Sequence, residues 1–226
     1  NLSEVVVRST DNRQTLLEKV RIATILGTLQ STLVNFKYVS KGWRKNCEEE
    51  RLLGVSLTGI MDCSFTNGKE KGLEKLLDEL REMAVKTNEE WAKKIGINQS
   101  VAITCVKPSG TVSQLVDAAS GIHARHNPYY IRTVRGDKKD PLTKMMTDAG
   151  FPVEDDVMNP SHTVVFSFPM KVGKDSVFRT DMTAIEQLEL WLTYQKHWCE
   201  HKPSVTISVK EHEWLEVGAW VYKHFE

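Results

Sequence analysis

This 226-residue chain has no excess charge of either sign, Lys plus Arg and Asp plus Glu numbering 30 each. A balanced chain sets up no global field to draw in nucleic acid or a membrane surface, so neither is expected as a partner. No apolar run approaches the ~18 residues a membrane span requires, and the N-terminus lacks the pattern of a secretory leader, which points to a cytoplasmic setting. Cysteine is scarce. The four thiols, Cys47, Cys63, Cys105 and Cys199, share no CxxC spacing, so they read as free thiols and not as a disulfide framework or a metal site. The run His197-x-Cys199-x-His201 does not change this, because helical residues two apart point in different directions and cannot close a zinc site alone. The paired glycines and Lys-Ser/Thr of a Walker-type phosphate loop are missing as well. With no linker tract and no internal repeat, residues 1–226 are expected to form a single partial domain. Asn1 leads straight into strand-like sequence, so the full protein is expected to extend beyond both ends.

What is present is an alternation of strand-like and helical segments. Residues 3–7 begin extended, and Asp11 or Asn12 then caps a helix from Arg13 to about Lys37, with Leu16, Leu17, Val20, Ala23, Leu26, Leu33 and Val34 at helical spacing. Leu52 to Leu57 is a buried-strand candidate. A strongly amphipathic helix follows over roughly Lys69 to Lys94, its inner face marked by Leu73, Leu76, Leu77, Leu80, Met83, Ala84 and Trp91, and Gly96 ends it. Further strands are expected at 101–106, 129–134, 163–168 and 204–209. Helices are expected at 141–149, from a cap at Asp181 or Thr183 through Trp198, and at 211–224. Strands alternating with helices of this length argue for a mainly parallel α/β architecture. Trp191, Trp198, Trp214 and Trp220 read as core residues, and the basic run Arg132, Arg135, Lys138 and Lys139 as a solvated loop.

The most informative stretch is Val101-Ala-Ile-Thr-Cys-Val-Lys-Pro-Ser-Gly-Thr-Val-Ser-Gln-Leu115. Its first six residues form a short, β-branched apolar run suited to a strand buried on both faces. Pro108 has no amide proton and biases Lys107 towards an extended conformation, which stops the strand. Ser109, Gly110, Thr111 and Ser113 follow, and the chain becomes helix-compatible from Thr111 to Ala119. A small glycine-containing turn before a helix leaves backbone N–H groups pointing outward, where amides and hydroxyls favour an anion. Ser109 acting as a simple N-cap is the bland alternative.

Several segments together resemble the ribonucleotide reductases, in wording most like the adenosylcobalamin-dependent ribonucleoside-triphosphate reductases. They are KPSGTVSQL at 107–115 with Gly121-Ile122-His123 and HNPYYIRTVR at 126–135, NLSEVVV at 1–7, ERLLGVSLTGIMD at 50–62, and AIEQLELWLTYQKHWCEHKPSVTISV at 184–209. The resemblance implies the second half of a ten-stranded α/β barrel. It also implies reduction of ribonucleoside triphosphates to 2′-deoxyribonucleoside triphosphates, with adenosylcobalamin as cofactor and a thioredoxin-like dithiol as reductant. In that family a finger-loop cysteine becomes a thiyl radical and takes the ribose 3′ hydrogen, a carboxylate assists loss of the 2′ hydroxyl, and a cysteine pair supplies the electrons. Those residues are expected upstream of Asn1, and none of the four cysteines aligns with them, so this chain is expected to carry no catalytic residue and no metal ligand. Carried over residue by residue, Ser109, Gly110, Thr111, Val112 and Ser113 should bind the substrate phosphates, and Pro108 should pack near the ribose. Gly110 stands where the aerobic two-subunit enzymes carry a Glu. Tyr129-Tyr130 sits at a different point from those enzymes' radical-relay tyrosines and reads as one buried and one exposed strand residue. Two alternatives stay open: the catalytic subunit of a two-protein, metal-dependent ribonucleoside-diphosphate reductase, and a non-catalytic nucleotide- or phosphate-binding α/β module.

Overall fold

The computed structural model describes residues 1–173 and 175–225. Their contacts divide into two compact units, one running through Asn1–Arg125 and resuming at Asp175, the other beginning at His126.

The first unit is built on a parallel ladder of β1 (Leu2–Val6), β2 (Gly54–Thr58) and β3 (Thr104–Cys105), in that spatial order. Leu2 lies opposite Gly54 and Val6 opposite Thr58, while Val55 and Ser56 pair with Thr104 and Cys105. Parallel neighbours need crossover helices. Those helices are α1 (Arg13–Gln30) with α2 (Lys41–Glu50) after β1, and α3 (Leu73–Ile95) after β2. Every residue of β2 is buried, as expected of a central strand covered on both faces.

Helix α1 starts where the sequence places it. The Asn12 side chain accepts the N–H groups of Gln14 and Thr15, and Thr15 bonds back to the Asn12 backbone, a reciprocal cap worth ~1 kcal/mol. Leu16, Leu17, Val20 and Ala23 are buried as expected, but the helix stops at Gln30 and not near Lys37, and Leu26 and Leu33 are 59 % and 72 % exposed. Helix α2 was not anticipated; it buries no residue, so it has no apolar stripe for a sequence reading to find. Helix α3 matches its expected face, burying Leu73, Leu76, Leu77, Leu80 and Ala84, and ends at Gly96 with φ +71°. Helix α6 (Ala184–His197) is capped by Thr183 in a reciprocal pair with Glu186. Its C-terminal turn delivers Trp198, fully buried, whose indole N–H donates to the Cys105 carbonyl at 2.8 Å.

One core joins β1 to β3 with α1, α3 and α6 through Val5, Val7, Leu16, Val20, Leu57, Ile60, Leu77, Leu80, Ile103, Tyr194 and Trp198. Each such side chain contributes about 1.5–3 kcal/mol on burial. Ala184, Leu188 and Val217 form a small satellite core beneath α7 (Trp214–Lys223).

The second unit is an antiparallel sheet of β4 (Tyr129–Asp137), β6 (Thr163–Lys171) and β5 (Val153–Asp155), in spatial order β4-β6-β5, with α5 (Pro141–Asp148) between β4 and β5 in sequence. The expectation of a mainly parallel architecture is therefore corrected: one of the two three-stranded sheets is antiparallel. The basic run belongs to this sheet and its turn, where Arg135 pairs with Asp156 at 2.9 Å and Lys138 with Asp155 at 2.6 Å. Tyr129 is 68 % exposed and Tyr130 half-buried.

Three further expectations change. The strand expected over 101–106 enters the ladder only at Thr104 and Cys105, with Val101 70 % exposed. Residues 204–209 keep an alternating burial pattern but form no ladder; Ser204 N–H donates to the Val106 carbonyl and Thr206 N–H to a ring nitrogen of His123. Trp214 is not core. It sits 60 % exposed, while Trp191 and Trp220 pack edge-to-face with ring centres 6.4 Å apart.

Tyr194 offers a test of this core. Its hydroxyl, fully buried, donates to the Thr66 carbonyl at 2.8 Å. Tyr194→Phe strands that carbonyl without a partner, and the expected loss in urea unfolding is about 1–3 kcal/mol. An unchanged midpoint would contradict the assignment of this bond.

Candidate functional site: the 106–125 loop

The residues singled out in the sequence lie where β3 ends. Lys107 is fixed at both ends: its N–H donates to the Ser56 hydroxyl at 3.0 Å and its ammonium lies 3.2 Å from the buried carboxylate of Glu4. The chain then rises to the surface at Pro108 and dips at Ser109, which is only 2 % exposed. Gly110, Thr111 and Val112 return to the surface, and Ser113 is fully buried again.

The two serines look inward. The Ser109 hydroxyl accepts the Ser113 N–H at 3.1 Å, and the Ser109 carbonyl accepts both the Ser113 hydroxyl and, at 2.6 Å, the Ser120 hydroxyl. Ser109 thus closes this turn without being the N-cap of the helix, a position that falls to Thr111 with no side-chain cap bond, while the three residues between the serines bulge outward. The amides of Gly110, Thr111 and Val112 have no protein partner among the described residues. Nothing lies within 4 Å of the point where a Cβ on Gly110 would sit.

Helix α4 covers only Val112–Leu115 and not the stretch to Ala119 that the composition suggested. Asp117 ends it by turning left-handed, with φ +47°. Four residues align too few peptide dipoles to act as a macrodipole, so attraction for an anion here comes from individual N–H groups and the Thr111 hydroxyl.

The loop's return is stitched to the end of β2. Gly59, with φ +78°, reverses the chain after Thr58, and a Cβ there would lie 2.4 Å from the Val7 carbonyl oxygen, so only glycine fits. The Gly59 N–H and the Thr58 hydroxyl both donate to the Ala119 carbonyl, at 2.7 and 3.1 Å, and the Gly121 N–H donates to Thr58 Oγ1 at 2.9 Å. The Asp62 carboxylate accepts the Ala119 N–H at 2.7 Å and, along one edge of the Arg125 guanidinium, the Nε and Nη2 N–H groups, each at 2.9 Å. Arg125 in turn donates to the carboxylate and carbonyl of Asp117, and Arg8 donates to the carbonyls of Val116 and Asp117. His123 closes the segment: its Nε2 accepts the Thr206 N–H at 2.9 Å, which leaves Nδ1 to donate to the Ser120 carbonyl at 2.9 Å.

Sequence reasoning found the outer loop and missed this inner lattice. The available signal was Asp62 inside the apolar run Gly54–Cys63, since an acid buried there must have a partner.

Other candidate chemistry disperses. His197 pairs with Asp78 at 3.0 Å, Cys199 is buried and His201 bonds the Leu53 carbonyl. No group of three His, Cys, Asp or Glu residues suited to a metal ion occurs among the described residues. Burial raises the Cys63, Cys105 and Cys199 thiols, Cys105 to about 11 despite a bond from Ser56 and the Lys107 charge. A cleft of about 650 Å³ lies away from the loop, between residues 67–75 and α6, with the carboxylates of Glu70, Glu74, Glu186 and Glu189 among its walls. No helix is long and apolar enough to cross a membrane.

With this geometry in place, comparison with known proteins gives a consistent answer. No family model matches the chain. It is 31 % identical over 187 residues to the adenosylcobalamin-dependent ribonucleoside-triphosphate reductase of Euglena gracilis, a match covering 80 % of this chain and 26 % of that protein. It is 34 % identical over 164 residues to a probable enzyme of the same name from Dictyostelium discoideum, covering 70 % and 21 %. The Lactobacillus leichmannii enzyme is 28 % identical over 198 residues, covering 75 % and 27 %. Among solved structures, a B12-dependent (class II) ribonucleotide reductase superposes with a TM-score of 0.76 at 24 % identity, covering 91 % of this chain and 32 % of that one. The class Id ribonucleotide reductase alpha subunit of Actinobacillus ureae gives 0.53 at 11 % identity, covering 95 % and 44 %. The chain is thus a mixed α/β protein with the fold of a ribonucleotide reductase segment. Its sequence relatives are the adenosylcobalamin-dependent ribonucleoside-triphosphate reductases, as the motifs implied, and it spans about a quarter of their length.

The thiols make a direct check. Cys47 is the half-buried one of the four, so iodoacetamide at neutral pH should label it alone, and all four only after unfolding; mass spectrometry reads the difference. The raised Cys105 also sets a sign for pH. Its contribution to stability is complete below the ordinary thiol value of 9.0 and is lost as pH rises through about 11. Unfolding free energy should therefore fall on the alkaline side, and a Cys105→Ala variant should show a weaker fall.

Proposed function

We propose that this chain is the substrate-phosphate-binding part of an enzyme that reduces ribonucleoside triphosphates to 2′-deoxyribonucleoside triphosphates with adenosylcobalamin. The observation that carries the reading is the outward triplet Gly110, Thr111 and Val112, whose free amides sit at the end of a parallel strand in a chain with these relatives. Three N–H groups and the Thr111 hydroxyl make a donor set sized for a phosphate, and donors to a charged group are worth about 1.5–3 kcal/mol each. Ser109 and Ser113 act from behind, holding the triplet outward. Pro108, exposed at the loop's entry, packs near the ribose. Fixing the phosphates fixes the sugar, and small displacements of a reacting sugar cost large factors in rate.

On this reading the parallel sheet of the first unit belongs to the second half of a ten-stranded barrel, and residues 1–226 are one piece of that domain. The catalytic and redox cysteines lie elsewhere in the full-length protein, which works in the cytoplasm with a thioredoxin-like dithiol reductant. Adenosylcobalamin, when bound, supplies the radical that starts the chemistry. The described residues offer no cluster of His, Cys, Asp or Glu for its cobalt, so no step is assigned to this chain through it. The relatives favour this reading over a metal-dependent diphosphate reductase or a non-catalytic module.

The test is nucleotide reduction by the full-length protein, prepared without metal, with and without adenosylcobalamin under a dithiol. Deoxynucleoside triphosphate should appear only with the cofactor; product only with a metal-loaded second subunit would overturn the reading. Thr111→Ala with Ser113→Ala should raise the Michaelis constant about tenfold or more, with turnover little changed. Unchanged kinetics in that double variant would remove the phosphate role.

A further inference from the structure

We propose that Arg125 is a positioning residue for the phosphate loop: held rigidly by Asp62, it sets the turn at Asp117 and thereby the direction of the Gly110–Val112 amides. This rests on the phosphate-binding reading above.

The geometry makes the case in three steps. Asp62 and Arg125 are each only 8 % exposed, and they meet through two parallel bonds of 2.9 Å, Nε to Oδ1 and Nη2 to Oδ2. The carboxylate's remaining capacity is also used: Oδ1 accepts the Ser176 hydroxyl at 2.8 Å and Oδ2 the Ala119 N–H at 2.7 Å. Asp62 thus accepts four bonds from three different parts of the chain, so the guanidinium cannot swing.

What remains of Arg125 points at the loop. Nη1 reaches the Asp117 carboxylate at 3.2 Å and Nη2 the Asp117 carbonyl at 3.1 Å. The same carbonyl accepts Arg8 Nη1 at 3.0 Å. Two guanidinium groups therefore converge on one residue, and that residue has φ +47°, the left-handed region that Asp and Asn adopt more readily than other side-chain-bearing residues but that only Gly enters freely. The left-handed turn at Asp117 ends α4 and lets the Ala118 N–H bond back to the Ser113 carbonyl at 2.8 Å. Ser113 in turn is locked to Ser109, and Gly110–Val112 are the residues held between those two serines.

Stability alone does not call for this arrangement. A buried ion pair contributes little compared with apolar side chains of the same volume. Fixed geometry is what it supplies. Burial opposes the Arg125 charge, but its hydrogen bonds to the Asp62 and Asp117 carboxylates, with their negative charges, outweigh that and raise the guanidinium above its ordinary value. Arg125 is itself too buried to touch a ligand, and its two-pronged bond cannot be reproduced by lysine.

The experiment uses the full-length protein with adenosylcobalamin and a dithiol. It measures kcat, KM and equilibrium binding for a ribonucleoside 5′-triphosphate, and binding of the same nucleoside without phosphates. Arg125→Lys should raise KM and the triphosphate dissociation constant about tenfold or more, with kcat and nucleoside binding within about twofold of wild type. Asp117→Asn, at a half-exposed position where Asn tolerates the left-handed turn, should show a smaller shift of the same kind, about threefold. It also carries the test if thermal unfolding shows that Arg125→Lys does not fold. Parallel loss of triphosphate and nucleoside binding, a fall in kcat at constant KM, or no change would overturn the inference and leave the phosphate loop standing. If the wild-type protein binds triphosphate no better than nucleoside, the phosphate-loop reading itself fails, and this inference with it.

Discussion

Residues 118–122 lie mostly in the interior without being helix or strand, and that constraint, with the turn at Val116 and Asp117 that leads into them, organises the rest of the first unit. Ala118, Ala119 and Ile122 are 1–3 % exposed, yet their neighbourhood has no regular ladder to satisfy its peptide groups. Buried N–H and C=O groups left unpaired would each cost about 1–3 kcal/mol, so partners must come from outside the segment. They come from the end of β2, where Thr58, Gly59 and Asp62 take the Ala119 and Gly121 peptides, and from the Arg8 and Arg125 guanidinium groups. The parallel ladder matters to the site for this reason: it carries the end of β2 to a fixed place beside the loop that leaves β3.

Helices with a wide apolar stripe and a side-chain cap were legible from the sequence. Asn12 and Thr183 each make a reciprocal cap, and α3 buries the leucines that its spacing marked. Elements decided by tertiary partners were less so. Residues 204–209 alternate like a strand, but Glu200, His201 and Ser204 take the Thr104 and Val106 carbonyls singly, so the ladder ends at Cys105. Helix α4 stops early because two arginines, one from beyond β1 and one ten residues past its end, hold the Val116 and Asp117 carbonyls. Neither arginine is close enough in sequence for a periodicity argument to find it. Trp214 misled for the opposite reason: its helix has apolar residues on more than one face, and only Val217 of α7 is buried.

The candidate site was legible in composition and not in geometry. Small hydroxyl and glycine residues after a β-branched run drew attention to the turn over 108–113, yet the wording does not say which hydroxyls face outward. The structure divides them: Thr111 is exposed, while Ser109 and Ser113 spend their hydroxyls and one amide on each other. Two serines and a threonine look interchangeable in a list of donors and are not interchangeable in a turn. Spacing explains the division, since residues four apart meet across one helical turn while those between them point away.

A rigid rim and an open tip are the useful combination for holding a polyanion. On the proposed reading, amides that receive phosphate oxygens cannot also be satisfied within the protein, and the tip at Gly110–Val112 is unpaired and exposed. That leaves its backbone nothing of its own to hold it in place. Order must then be imposed from residues on either side: Lys107 on Ser56 and Glu4 at the entry, Asp117 on Arg8 and Arg125 at the exit. The four charges at the entry and exit that face inward, Glu4, Lys107, Asp62 and Arg125, are paired with one another, Glu4 with Lys107 and Asp62 with Arg125. Arg8, whose guanidinium bonds carbonyls alone, is the cation at the exit without a carboxylate partner among the described residues, so on the proposed reading a ligand would meet directed N–H groups with one unpaired guanidinium at the exit. On that reading the site discriminates by the direction of its hydrogen-bond donors, which the paired serines and the buried ion pairs hold in place.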